Sequence, residues 1–136
     1  MFQCDQMTMR HARAGHQPPL HVRRNARELQ FASDAAPGPA LGLFPGAHFG
    51  TTTTQLSAGD LVLLFTDGII EAENGNGSEW GVDGLKEAVQ ANLAAPGSNL
   101  LSVLLARAQT FTGTSEFVDD VCLASVELPG ESAGQA

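Results

Sequence analysis

The sequence predicts a single α+β domain, because β-type segments dominate its first half and two helical segments precede one last strand. Residues 61–66, LVLLFT, are apolar without alternation, which is typical of a strand covered on both faces. Residues 121–128, VCLASVEL, form the last apolar strand pattern. The length of 136 residues suits one domain. We assign residues 1–128 to this domain and residues 129–136, PGESAGQA, to a flexible tail.

Four further strands are predicted before residue 61. They are bounded by turn residues or carry the β-branched residues that strands favour. They comprise residues 7–13, 20–24, 28–31 and 48–56. The second and third form a hairpin through Asn25 and Ala26, and a loop rich in glycine and proline precedes the fourth.

Two helices are predicted after the strand at residues 61–66. Leu85, Val89 and Leu93 recur at the spacing of one helical face, and Ala-Pro-Gly ends that segment. Ser98 is the predicted N-cap of the second helix. The apolar stripe of that helix comprises Leu101, Leu104, Leu105, Ala108 and Phe111. A short turn between the helices makes them antiparallel.

Composition excludes several classes of function. The chain has 15 acidic and 7 basic residues, a balance opposite to that of proteins that bind nucleic acid. No apolar run approaches the ~20 residues of a membrane span, and the start has no signal-peptide pattern, so we expect a cytoplasmic protein without a membrane partner.

Cys4 and Cys122 lack the spacing of a metal or redox motif, and Cys122 is predicted to be a small core residue.

Acidic residues occur at the ends of two predicted strands. Asp67 follows the strand at residues 61–66, and Asp119 and Asp120 precede the final strand. Two antiparallel helices between these strands return the chain to the edge that it left. We therefore expect the three carboxylates to meet at one edge of the sheet.

Carboxylates that meet in this way repel each other, by about 4 kcal/mol at ~4 Å and an effective dielectric of ~20. A proton, a basic residue or a metal must offset that cost, and Arg107 is the only basic residue after residue 96. Oxygen ligands favour Mg²⁺ or Mn²⁺. Taken separately, each motif is more typical of a turn, in which Gly68 would supply a positive φ, or of a solvated loop.

Several ordered segments resemble one family. Residues 56–85, LSAGDLVLLFTDGIIEAENGNGSEWGVDGL, are similar to the C-terminal half of metal-dependent phosphatases of the PPM (type 2C) family. The bacterial branch typified by stage II sporulation protein E and the sigma-factor regulatory phosphatases is the most similar. ARAGHQPPLHVRR, ALGLFPG and FVDDVCLASVEL also resemble segments of that branch, so the resemblance runs from about residue 7 to residue 128.

The resemblance implies two packed, mostly antiparallel sheets flanked by helices. It implies hydrolysis of phosphoserine or phosphothreonine on a regulatory protein, in sigma-factor regulation or stress signalling. A water activated by Mn²⁺ or Mg²⁺ would attack phosphorus, so no catalytic side chain is assigned. Asp67 and Asp119 would be metal ligands, and Asp120 would support them without binding the metal. Glu71 and Trp80 match family positions but are interpreted as loop and packing residues.

One family motif has no counterpart in this sequence. The Gly-Asp followed by Gly-His-Gly of the first half of the family domain is absent. We therefore interpret the chain as the C-terminal portion of the catalytic domain, with an incomplete two-metal site, impaired activity and an uncovered apolar face that favours self-association. The alternatives are a non-catalytic partner-binding module or phosphatase fragment, and a two-metal nucleotide phosphohydrolase.

The four histidines show no metal-binding pattern. His11, His16, His21 and His48 form no H-x-x-x-H or H-E-x-x-H pair. His16 follows Gly15 in a predicted turn, and the others lie in predicted strands. We interpret all four as structural.

Overall fold

A computed structural model describes residues 1–33 and 37–130 of the chain, which form two antiparallel sheets and three helices. The strands are β1 (Phe2–Gln3), β2 (Thr8–Ala12), β3 (Leu20–Arg23), β4 (Glu28–Phe31), β5 (Thr51–Gln55), β6 (Leu61–Phe65) and β7 (Leu123–Glu127). The helices are α1 (Asp67–Ile70), α2 (Gly81–Gln90) and α3 (Gly97–Thr112). Most of the predicted tail, and residues 34–36 of the predicted loop, lie outside the described residues.

The strands form a three-stranded sheet, in the order β1-β2-β5, and a four-stranded sheet, in the order β4-β3-β6-β7. Every described strand pair is antiparallel, including the predicted hairpin of β3 and β4, in which Leu20 pairs with Phe31. The predicted α+β class with two mostly antiparallel sheets is confirmed. The short strand β1 was not predicted.

Two apolar clusters hold these layers together. Alternate residues of β6 point to opposite faces, so Leu61 and Leu63 pack with the helices while Val62 packs with residues of the second sheet. The larger cluster joins the four-stranded sheet to α2 and α3, and the smaller one includes Met9 and Leu56. The unalternating pattern of residues 61–66 thus reflects cover on both faces, with Leu64 as an exception at 37% exposure.

The start of α3 differs from the prediction. The N-cap residue is Pro96 rather than Ser98, and its side chain makes no capping hydrogen bond. The carboxylate of Glu127, on β7, instead accepts the N–H of Gly97 at 2.8 Å. Glu127, which is distant in the sequence, therefore caps the start of α3 in place of the predicted Ser98. The apolar stripe is also displaced, since Leu100 is buried and Leu105 is 37% exposed.

The surface differs from the prediction at Cys122, and it also carries several large apolar side chains. Cys122 is exposed rather than buried. It lies just before β7, which begins at Leu123 and so two residues later than predicted. The most exposed large apolar side chains among residues 1–33 and 37–130 lie outside the strands, at Met1, Leu41, Leu43, Phe44 and Val118. None of the described helices is long and apolar enough to cross a membrane.

Candidate metal-binding site

The candidate site lies where β6 ends beside the start of β7. Phe65, the last residue of β6, pairs with Leu123, the first residue of β7. One residue further along, the N–H of Thr66 donates to the carbonyl oxygen of Cys122 at 3.1 Å. The ladder is therefore prolonged beyond the strand ends, and the residues that follow β6 lie against those that precede β7.

Gly68 marks the closest approach of the two segments. A Cβ atom added to Gly68 would lie 2.6 Å from the carbonyl oxygen of Asp120 and 3.3 Å from the carbonyl carbon of Asp119. Any side chain at this position would therefore force one of the two segments to move. Gly68 lies within α1 and does not have the positive φ that a turn would require, so the turn interpretation is wrong. Its role is to allow two backbones to touch.

The three predicted carboxylates occupy distinct positions around this contact. Asp67 is the first residue of α1 and is exposed. The Oδ1 atom of Asp119 accepts the backbone N–H of Asp120 at 2.7 Å, which fixes the orientation of that carboxylate. Asp120 is exposed, and its carbonyl oxygen is the atom that takes part in the contact, where it accepts the hydroxyl of Thr66. The predicted meeting of the two chain segments is confirmed, and the role of each carboxylate stays a prediction.

A cavity of about 430 Å³ opens beside the contact. Gly68 and Asp119 line it, together with Thr112, Thr114, Phe117, Val118 and the carboxylates of Glu71, Glu73 and Glu116. Four acidic side chains around one cavity create a negative potential that attracts cations. Glu71 therefore faces solvent at this cavity, whereas Trp80 packs against the larger apolar cluster as we expected.

The candidate ligands are of the chemical type that binds a hard divalent cation, but they are too few to form a complete site. Asp67 and Asp119 supply carboxylate oxygens, which Mg²⁺ and Mn²⁺ prefer. However, no group of three His, Cys, Asp or Glu side chains within residues 1–33 and 37–130 has the arrangement of a metal site. The described residues therefore contain no complete metal site, and the assignment of Asp67 and Asp119 as ligands stays a prediction.

The structure also contains a buried hydrogen-bonded pair that the sequence did not predict. The Nε2 atom of His21, on β3, lies 2.7 Å from Oδ2 of Asp60, and both residues are at most 2% exposed. The same Asp60 oxygen accepts the N–H of Ser57 at 2.9 Å. His21 is thus structural, as we expected, but its partner lies in the turn before β6. A buried histidine in a strand is itself a signal that a polar partner exists.

None of the remaining histidines lines the acidic cavity beside Asp119. The Nδ1 atom of His16 lies 3.0 Å from the carbonyl oxygen of Gln17 in an exposed loop, and His48 is also exposed. His11 lies on β2, in the other sheet.

Comparison with known proteins identifies the fold. Two structures of the phosphatase domain of the cell fate determinant SpoIIE from Bacillus subtilis, one of them presoaked with manganese, match with TM-scores of 0.74 and 0.75 at 15% and 16% identity. The match covers 98% of this chain and 58% and 56% of those chains. The RsbU and RsbW domains of Rv1364c from Mycobacterium tuberculosis match with a TM-score of 0.69 at 24% identity, over 93% of this chain and 35% of that one.

Sequence comparison agrees with the structural match. Protein IcfG from Synechocystis sp. is 27% identical over 82 residues, which are 60% of this chain and 12% of that protein. The chain thus spans little more than half of the SpoIIE phosphatase domain and a small part of IcfG. Residues 1–129 match the sequence model of the family described as Stage II sporulation protein E (SpoIIE). The chain therefore belongs to the SpoIIE family of PP2C-type phosphatases.

Proposed function

We propose that this chain supplies part of the active site of a metal-dependent phosphatase that hydrolyses phosphoserine or phosphothreonine on a regulatory protein. In this proposal Asp67 and Asp119 bind Mn²⁺ or Mg²⁺, and the protein acts in sigma-factor regulation or stress signalling. The contact of Gly68 with the Asp119–Asp120 backbone carries the proposal, because it holds the two carboxylate segments together. Family membership and the fold support it.

The roles of the residues follow from their bonds. Divalent cations bound to carboxylates act as Lewis acids and lower the pKa of a bound water. One carboxylate oxygen of Asp119 accepts the Asp120 N–H, so its other oxygen remains to face a cation. Asp120 therefore supports Asp119 through its backbone, and the acidic cavity beside it favours the approach of cations.

We propose that the 136-residue chain has little activity by itself. Two ligands are fewer than a two-metal centre requires, and no three His, Cys, Asp or Glu side chains among the described residues are grouped so that they could hold a metal ion. The chain also spans 58% of the SpoIIE phosphatase domain that it matches. Further ligands would have to come from outside the described residues.

Two measurements test the proposal. In an assay with Mn²⁺ and a phosphoserine peptide, the isolated chain should show a small fraction of the turnover of a complete family member, and full turnover would refute the proposed impairment. A panel that adds nucleoside phosphates separates a phosphoprotein phosphatase from a nucleotide phosphohydrolase. Calorimetric titration with Mn²⁺ should detect weak binding that Asp67→Asn and Asp119→Asn each weaken about tenfold or more, whereas unchanged binding would refute the ligand assignment.

A second candidate function is a non-catalytic module that binds a protein partner or a second copy of the chain. Leu41, Leu43 and Phe44 are 76%, 63% and 64% exposed in one loop, and exposed apolar side chains in a group mark interaction surfaces. Sedimentation of the wild-type chain and of a Leu43→Ser, Phe44→Ser variant tests self-association. The interpretation as a non-catalytic module is supported if the wild-type chain self-associates, the variant is monomeric, and neither protein binds Mn²⁺.

A further inference from the structure

The acidic cavity beside Asp119 holds negative charge that this chain does not pair. Its carboxylates are those of Glu71, Glu73, Glu116 and Asp119. None of the four takes part in an ion pair within the part of the chain that the structure describes. All seven lysine and arginine residues of the sequence are described, and neither they nor a histidine line the cavity. A cation that binds there therefore has to come from outside this chain.

The spacing of these carboxylates favours an organic cation. No three His, Cys, Asp or Glu side chains among the described residues are grouped so that they could hold a metal ion. A metal ion needs several oxygen ligands within about 2.0–2.6 Å. A guanidinium group is larger and spreads its N–H donors over several nitrogen atoms, so it can reach carboxylates that lie further apart. The cavity is therefore better suited to an arginine head group than to a metal.

The cavity also has an apolar wall. Phe117 and Val118 line it beside the carboxylates, and the Val118 side chain is fully exposed. An arginine side chain has an apolar stem below its charged head, and its guanidinium stacks on aromatic rings. A small inorganic cation would leave the apolar wall in contact with water. The wall and the carboxylates together are thus complementary to an arginine side chain.

Hydrogen bonds fix the two segments that carry the glutamates. The N–H of Trp80 donates to the carbonyl oxygen of Ala72 at 2.9 Å, which closes the loop that contains Glu73. On the other side of the cavity, the hydroxyl of Thr114 accepts the N–H of Glu116 at 3.2 Å. A binding cavity with fixed walls loses little conformational entropy when a ligand enters it.

Asp119 places the cavity beside the candidate metal site. This residue lines the cavity and is also one of the two proposed metal ligands. A phosphoryl group held at the metal site would lie near the carboxylates of the cavity, and like charges repel each other. An arginine of the same substrate, bound in the cavity, would offset that repulsion.

We propose that the acidic cavity binds an arginine side chain of the phosphoprotein substrate, within a few residues of the phosphoserine or phosphothreonine. The guanidinium pairs with Glu73 and Glu116, and the stem packs on Phe117. The inference rests on the proposed function, because it names a feature of the substrate of the same site. Binding of the arginine itself needs neither a metal nor hydrolysis.

Peptide binding to the full 136-residue chain in the presence of EDTA tests the cavity alone. The probes are short, end-capped peptides that contain one serine and a single arginine at varied distances from it. The matched control has glutamine in place of arginine. NMR signals of the Glu73, Glu116 and Phe117 amides report binding. We expect saturable shifts with at least one arginine peptide and none with the glutamine peptide; no shifts with any arginine peptide would overturn the proposal.

This result is independent of the metal site. Arginine binding by a chain that fails to bind Mn²⁺ would refute the proposed metal ligands and leave the cavity assignment intact. Loss of arginine binding with normal Mn²⁺ binding would do the reverse.

Variants separate a specific cavity from general charge attraction. Glu73→Gln and Glu116→Gln should each weaken arginine-peptide binding about threefold, the effect expected for an exposed ion pair. Glu87→Gln is the matched control, because Glu87 is an exposed glutamate on α2 that does not line the cavity. Equal weakening by all three variants would overturn the proposal. All three positions are exposed, so we expect the variants to fold.

Phosphopeptides connect the cavity to the substrate. With Mn²⁺ present, a phosphoserine peptide with the best-placed arginine should bind more tightly than its glutamine counterpart, and Glu116→Gln should reduce that difference. If arginine makes no difference between the phosphopeptides, the occupant of the cavity is not the substrate and the proposal is wrong. Self-association of the chain that Glu73→Gln and Glu116→Gln abolish would likewise overturn it, because the arginine would then belong to a second copy.

Discussion

The hydroxyl of Thr66 donates a hydrogen bond to the carbonyl oxygen of Asp120 over 2.9 Å. The same hydroxyl accepts the N–H of Cys122 at 2.9 Å. One side chain at the end of β6 thus binds the backbone on both sides of Val121. This pair of bonds fastens the segment that carries Asp119 to the segment that carries Asp67.

Thr66→Val should loosen this connection. Valine has the shape of threonine without the hydroxyl, so both bonds are lost while packing is preserved, at a cost of about 1 kcal/mol because water can reach the exposed groups. Urea denaturation measures the change. Thr66→Ser should retain most of the stability, and Thr53→Val, at an exposed position of β5, should change it little. Equal effects at positions 66 and 53 would show that the hydroxyl of Thr66 is unimportant.

Gly68→Ala should disrupt the candidate site more severely. The new Cβ would lie 2.6 Å from a backbone carbonyl oxygen, so one of the two segments must move. We expect a loss of about 2–4 kcal/mol in the free energy of unfolding, which is large for one methyl group. Thermal and urea denaturation measure it.

The matched control is Gly75→Ala, because a Cβ at Gly75 meets no atom within 4 Å and Gly75 does not have a positive φ. Alanine should be tolerated there or slightly stabilise the chain. If Gly68→Ala is as stable as Gly75→Ala, the two segments are not in contact in solution.

The buried pair of His21 and Asp60 should couple strongly. Breaking a buried pair by removing one partner costs about 3–5 kcal/mol, because the other polar group remains buried. We expect Asp60→Leu and His21→Phe each to destabilise the chain, and the double variant to lose about 2 kcal/mol less than the sum of the two. A double-mutant cycle in urea measures this coupling.

The exposed pair of Arg23 and Glu28 provides the comparison on the same hairpin. Its atoms approach to 2.6 Å, but the side chains are 42% and 58% exposed. The corresponding coupling should therefore be less than about 1 kcal/mol. Similar coupling for both pairs would contradict the role that we assign to burial.

Glu127 should make stability depend on pH. The N–H of Gly97 and then the guanidinium of Arg24 hold the pKa of Glu127 below its ordinary value of 4.5. A carboxylate whose folded pKa is lowered contributes stability above its unfolded pKa, and that contribution is lost as pH falls through the folded pKa. Glu127→Gln should therefore destabilise the chain at pH 7 and become equal to the wild type in strong acid.

The expected difference at pH 7 is about 0.5–1 kcal/mol, because the Glu127 side chain is 40% exposed and solvent screens it. Denaturation at a series of pH values measures it. Glu79→Gln, at an exposed position, should show little pH-dependent difference from the wild type. A constant difference between Glu127→Gln and the wild type from pH 7 to strong acid would show that charge is not the cause.

Features with a local pattern could be predicted from the sequence. The β3–β4 hairpin, the buried strand β6 and the two main helices each follow from spacing or turn residues within a short window. The convergence of the segments around Asp67 and Asp119 followed from the order of strands and helices.

Features that depend on distant contacts could not be predicted in this way. The sequence around Asp60 is typical of a surface turn, and Asp60 is buried against His21 only because of the fold. Glu127 likewise replaces Ser98 at the start of α3 because β7 passes beside that end of the helix. The sequence around Gly68 is typical of a turn, and the contact of Gly68 with the Asp120 backbone appears only in the structure.

Titration with Mn²⁺ followed by NMR tests most directly whether Asp67 and Asp119 hold one cation between them. Paramagnetic Mn²⁺ should broaden the amide signals of Gly68 and Asp120 together, at the same metal concentration. Asp67→Asn and Asp119→Asn should each weaken this binding about tenfold or more, and Asp5→Asn, at an exposed position, should not. Broadening confined to the amides of Glu71, Glu73 and Glu116, or unaffected by either substitution, would contradict the shared site.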